Sequence, residues 1–308
     1  MNTLNYFLLV LARSWDALWH PQFYPTRGRR KLLDYILQSI SFRWQLFAAK
    51  RIDFPDRPRL TVILTSFKRE ANIPFILESV LSLPYVTEVI LTNNNPGRKI
   101  DLRRFANDPR LLVYNQKQPT ACGYRYDLAL RSGGERFIVI DDDIFLSPQQ
   151  IDLLYSQFLE NPSKLHGVQG QNWNGGTESS LPFPVVGESE VDVLNRIYVL
   201  DRSSLETMYR VLAKFGIKDS SKIHNAEDIF VSFSGTAKPQ IHAIGKWVDC
   251  PTGYKNDTAI YLNRPHFQQE RNLIFNQLKL LQDDPEAKLV GAKEVIKVIE
   301  AVNHSSFD

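Results

Sequence analysis

Three consecutive aspartates, Asp141-Asp142-Asp143, follow directly on the apolar run Phe137-Ile138-Val139-Ile140. Such a run reads as a buried strand. The carboxyl end of a strand is where open α/β sheets bind their ligands. Adjacent carboxylates repel one another, and core packing does not call for them. A hard divalent cation shared with a diphosphate relieves that repulsion, because Mg²⁺ and Mn²⁺ prefer oxygen ligands. The competing reading is an acidic cluster capping the helix that follows. A second acidic pair, Glu227-Asp228, lies in a stretch with helical character. Neighbours on a helix point about 100° apart, so the two cannot serve one atom. One is then expected at the reacting centre and the other against acceptor or solvent. The alternative for this pair is favourable charge at a helix N-terminus. His242 and His266 are weaker candidates as metal ligands, and Trp173 and Tyr254 as stacking platforms. The chain contains no P-loop and no G-x-G-x-x-G.

The elements that must position these residues follow from hydrophobic periodicity. Strands are expected at 60–65, 86–92, 111–114 and 136–140. They alternate with helices at 68–82, 120–132 and 148–160. That alternation implies a mostly parallel, doubly wound α/β sheet. Further strands are expected at 166–171 and 193–200, and helices at 203–215, 225–233 and 265–281, with Gly216 as a helix stop. Residues 1–50 read as two helices. The second carries Leu33, Ile36, Leu37, Ile40, Trp44 and Phe47 at helical spacing, expected to pack on the core or to lie on a membrane surface. Two parts follow: a basic helical extension over 1–58 and a catalytic domain over 59–308.

Charge and composition narrow the function. The net charge is +3, but ten Arg or Lys against four Asp in residues 1–59 give +6 there and leave −3 for the rest. A basic lead-in on a mildly acidic body argues against a nucleic-acid binder and fits either an anionic lipid surface as partner or a solvated basic helix. Two cysteines, Cys122 and Cys250, show no metal-type spacing and make a reducing compartment the easier assumption. The longest apolar run near the start, 6–12, is far below the roughly 20 residues of a spanning helix. A cytoplasmic protein with peripheral membrane contact is therefore expected.

Thr61 to Arg69 (TVILTSFKR), Val89 to Gly97 (VILTNNNPG), the aspartates, and His224-Asn225-Ala226-Glu227-Asp228-Ile229 together resemble the exostosin-type glycosyltransferases, glycosyltransferase family 64. The likeness runs over roughly 59–280 and includes the Thr252-Gly253-Tyr254 turn. It implies a GT-A-like fold, a UDP-sugar donor, Mn²⁺ or Mg²⁺, a glycan or glycoconjugate acceptor, and retention of anomeric configuration. It matches Arg69, Asn94, Asn95 and Arg125 to the donor site. It matches Asp141, Asp142 and Asp143 to the metal-and-ribose cluster (a DXD motif), with Asp143 and then Asp141 as metal ligands. Asp228 matches the acid beneath the anomeric carbon, with Glu227 beside it. Arg264 matches an arginine near the leaving diphosphate, and Arg271 is the rival for that place. An inverting transferase of the same fold and a non-catalytic glycan-binding module are the alternatives. A sugar-nucleotide pyrophosphorylase would need a Gly-rich loop after the first strand, and residues 65–69 contain no glycine.

Overall fold

The structure is a computed structural model, which describes residues 3–24, 31–173, 184–218 and 220–284. Eight strands form the central sheet: β1 (Leu60–Ser66), β2 (Val86–Asn93), β3 (Leu111–Asn115), β4 (Arg136–Asp141), β5 (His166–Gly167), β6 (Ser189–Glu190), β7 (Ile197–Asp201) and β8 (Gln240–Ile241). Their order across the sheet is β3-β2-β1-β4-β7-β5-β8-β6. The first four are parallel, as the strand–helix alternation predicts, whereas β7 runs antiparallel to β4.

The β-branched strands are buried on both faces, and their alternation divides the interior in two. Val62, Leu64, Ile138, Ile140 and Val199 point into one core, while Ile63, Phe137, Val139, Tyr198 and Leu200 point into the other. Helices α3 (Ile73–Val80) and α5 (Pro148–Glu160) cover the first face. Helices α4 (Tyr124–Arg131), α6 (Arg202–Lys214), α7 (Glu227–Ser232) and α8 (Phe267–Asp283) cover the second. Helix α5 starts where Ser147 and Gln150 form a reciprocal capping box, satisfying two backbone donors that a helix start leaves free. Gly216 ends α6 with a positive φ of 76°, a conformation open to glycine without steric cost.

Helices α1 (Thr3–Trp19) and α2 (Leu32–Ala49) form an antiparallel hairpin on the first core. The Tyr6 ring packs on Phe42 and Phe75, and Arg43 reaches back to Thr3. The face of α2 that meets the core is not the one the spacing suggests. Leu32, Tyr35, Phe42 and Leu46 are buried, whereas the Leu33–Leu37–Ile40–Trp44–Phe47 stripe faces outward. The helix is apolar on two sides, so periodicity finds a stripe without saying which one the core takes. No helix among the described residues is long and apolar enough to cross a membrane.

Candidate active site

Strand register assembles the site. Thr65 pairs with Asp141, so the loop after β1 lies beside the aspartates at the carboxyl ends of both strands. Because β7 is antiparallel, its start rather than its end lies there: Asp141 N–H donates to the Arg196 carbonyl. Residues 195–196 thereby enter a cleft of about 750 Å³. Arg69, Asn94, Arg125, the three aspartates, Glu227, Asp228, Arg264 and Arg271 all line it. Asn95 does not; it closes the turn after β2, its side-chain oxygen accepting from Gly97 N–H.

The three aspartates have different partners. Asp142 accepts from Phe67 N–H and from Arg69 Nη1 at 2.7 Å, while its carbonyl accepts from Asn72. It fastens the loop after β1. Asp143 accepts from Arg196 at 2.8 Å, and Arg69 lies 3.4 Å from its other oxygen. Asp141 is the most open of the three, and Arg125 Nη1 donates to it at 2.8 Å. Burial works against ionisation of all three. For Asp141 and Asp142 it prevails and raises the carboxyl. For Asp143 the charges of Arg196 and Arg69 outweigh it and hold the carboxyl below the usual range.

Across the cleft, Arg125 also donates to Glu227 at 3.2 Å, so one guanidinium ties the two acidic motifs together. Burial and the neighbouring Asp228 charge raise the Glu227 carboxyl. Asp228 points elsewhere, as the helical offset requires. Arg271 grips it through two hydrogen bonds of 2.8 and 2.9 Å, and Asn195 donates to it at 3.0 Å. Arg264 instead donates to Glu270 at 2.6 Å, and Asn225 shares that carboxylate. The start of α8 thus locks the 224–229 motif in place.

Close approaches explain two glycines. A Cβ on Gly123 would collide with the Ser220 carbonyl, and this close approach seats the helix that carries Arg125. A Cβ on Gly253 would lie 2.7 Å from Asp143 Oδ2, so the glycine keeps room beside that oxygen. The three non-glycine residues with positive φ, Arg196, Ala226 and His266, each line the cleft or directly precede a residue that does. Sparsely populated backbone conformations gather at functional sites. Thr65 Oγ1, Asn195 Oδ1, Arg125 Nε and Arg271 Nε are buried there without a hydrogen-bond partner, which marks the cleft floor as polar and incompletely satisfied.

Among the described residues no three His, Cys, Asp or Glu side chains gather as a ready-made metal cage. The donor set fits a cation shared with a substrate. Mg²⁺-like ions commonly take one or two protein carboxylates and complete their shell with phosphate oxygens and water. His242 does not line the cleft; just after β8, it stacks on His166 of β5. Trp173 stacks on Phe275. Sequence reasoning passed over Asn195 and Arg196, since the apolar residues around them read as one continuous strand over 193–200.

Residues 61–184 match the family model for glycosyl transferase family 2. Over 249 residues the chain is 24% identical to "Exostosin-like-3 homolog" from Caenorhabditis elegans, across 73% of this chain and 29% of that one. The chain thus spans under a third of that relative's length. Among solved structures it is similar to S. aureus TarS, with a TM-score of 0.48 and 12% identity over 78% of this chain and 42% of that one. It is also similar to the mannosyltransferase PcManGT from Pyrobaculum calidifontis, solved with GDP-Man and Mn²⁺. There the TM-score is 0.42, with 12% identity over 91% and 82% of the two chains.

Proposed function

We propose that the chain is a glycosyltransferase, which moves a sugar from a UDP-sugar to a glycan or glycoconjugate acceptor with retention of configuration, as an exostosin-type enzyme. The observation that carries the reading is the fixed Asp228 carboxylate, facing the cleft opposite the aspartate cluster. Arg271, Asn195 and the Ile229 N–H occupy both its oxygens. A carboxylate so fixed in position can stabilise positive charge on an oxocarbenium-like centre. Asp143, with Asp141, would hold Mn²⁺ or Mg²⁺. When bound, such a cation neutralises charge developing on the diphosphate. Arg69 and Arg125 sit on either side of the cluster and supply positive potential toward the donor.

One observation favours the inverting alternative. The raised Glu227 carboxyl suits a general base, which works best with a pKa nearer the operating pH. The anomeric coupling constant of the product, measured by NMR after a screen of α-linked UDP-sugars with Mn²⁺, separates the two. An α-linked product is expected. A β-linked product removes retention and moves the catalytic role to Glu227.

A further inference from the structure

The hairpin of α1 and α2 turns its two apolar stripes away from the protein. Leu11, Trp15 and Trp19 on α1 and Leu37, Trp44 and Phe47 on α2 are each more than half exposed. They recur at spacings of three, four or seven, so each set forms one strip along its helix. The inner faces of both helices are already satisfied by the core, through Tyr6 and Val10 on α1 and Tyr35 and Phe42 on α2. The outer strips are therefore surplus to folding. Three of the chain's five tryptophans lie here, at 63, 63 and 70% exposure, although tryptophan is normally among the most buried side chains. Adjacent apolar strips of this kind mark an interaction surface rather than scattered exposed residues.

Charge identifies the occupant. The +6 balance of residues 1–59 is opposite in sign to an anionic headgroup layer. Basic groups sit at the strip itself: the Arg51 guanidinium lies 5.0 Å from the centre of the Phe47 ring, and Lys50 beside it is exposed. Apolar strips with tryptophan, flanked by Lys and Arg on helices too short and polar to span, are the pattern of helices lying in a membrane interface. A second protein copy would meet the same positive charge and be repelled by it.

We propose that the outer face of the α1–α2 hairpin docks on an anionic lipid bilayer and lies in its interfacial layer. The full-length chain is to be floated with phosphatidylcholine vesicles, with and without phosphatidylglycerol, at low and high salt. The expected result is co-flotation with the anionic vesicles at low salt, weakened by high salt, and a blue shift of tryptophan emission. Trp15→Glu combined with Trp44→Glu, both on exposed positions, should lower flotation at least about tenfold and leave the melting temperature unchanged. Full-length protein that stays unbound at low salt overturns the proposal. So does a dimer, seen by light scattering, that these two substitutions convert to monomer while vesicle binding is absent; that outcome assigns the face to a second copy. Lipid binding is read without donor or acceptor, so the result is independent of the reaction proposed above.

Discussion

Replacing Asp228 by asparagine tests the centre of the site, and the geometry sets the size of the effect. Four hydrogen bonds reach this carboxylate: two from Arg271, one from Asn195 and one from the Ile229 backbone. An asparagine presents an NH₂ where one acceptor oxygen stood, so donors face donors, and buried Arg271 loses its counter-charge. Breaking a buried pair by removing one partner costs about 3–5 kcal/mol. In a chain of this size that lowers the melting temperature by roughly 5–8 °C. If the carboxylate also stabilises the transition state, kcat falls by about 10²–10³ while donor KM changes little. The two effects separate in Asp228→Asn/Arg271→Gln, which restores neutrality. Its melting temperature should recover much of the loss, and its kcat should not recover. The assay is steady-state sugar transfer alongside thermal unfolding of each single and double variant. A double variant that regains both stability and kcat refutes the catalytic role and leaves Asp228 as a structural partner of Arg271. Retention of kcat within about threefold by Asp228→Asn alone refutes it as well.

Asp143→Asn should abolish the Mn²⁺-dependent part of UDP-sugar binding in calorimetry, and equal affinity in both proteins would remove Asp143 as a ligand. Gly253→Ala places a methyl against the Asp143 carboxylate and should reduce kcat/KM about tenfold or more, as overpacking does, with normal circular dichroism; unchanged kinetics would show that the space is not used. His166 is buried against His242, and burial lowers its pKa from 6.5 to about 4. The unfolded chain therefore takes up this proton first: the stabilisation is complete above pH 6.5 and is lost as pH falls toward 4, on the order of 3 kcal/mol in all. Denaturant unfolding between pH 7.5 and 4.5 should show this slope in the native chain and a shallower one in His166→Gln.

The strands and the acidic motifs were legible because their signals are local. Residues 60–65 and 136–140 are β-rich runs that could pack only as buried strands, and the parallel order follows from the helices between them. Helix α5 follows Ser147-Pro148, a cap and a first-turn proline that announce its start. What stayed hidden depends on contacts distant in sequence. Arg196 reaches the site only because β7 pairs antiparallel with β4, and nothing in the run 193–200 encodes that direction. Arg264 and Arg271 could not be ranked from the chain; Glu270 captures one and Asp228 the other, and both partnerships require α8 to be docked. On α2 both faces were apolar, so the outward-facing strip was the one the spacing brought out.

The hairpin is also wired to the aspartates. Lys31, at the foot of α2, donates at 2.6 Å to Asp249 and at 2.6 Å to the Tyr254 hydroxyl. Arg196 bridges Asp249 and Asp143, and Arg69 continues from Asp143 to Asp142. Lys31 and Arg196 together hold Asp249 down to about 2 against its burial. A second tether joins the Phe23 carbonyl to Asn256 N–H, beside the cleft residues Tyr254 and Asp257. Cutting the chain before residue 59 would therefore not leave the cleft as it is. It would bare Phe75 and Phe145, strip Asp249 of one of its two cations, and shift the share of Arg196 left for Asp143. The start of α2 and the acid cluster are thus links of one chain of ion pairs, running from Lys31 through Asp249 and Arg196 to Asp143.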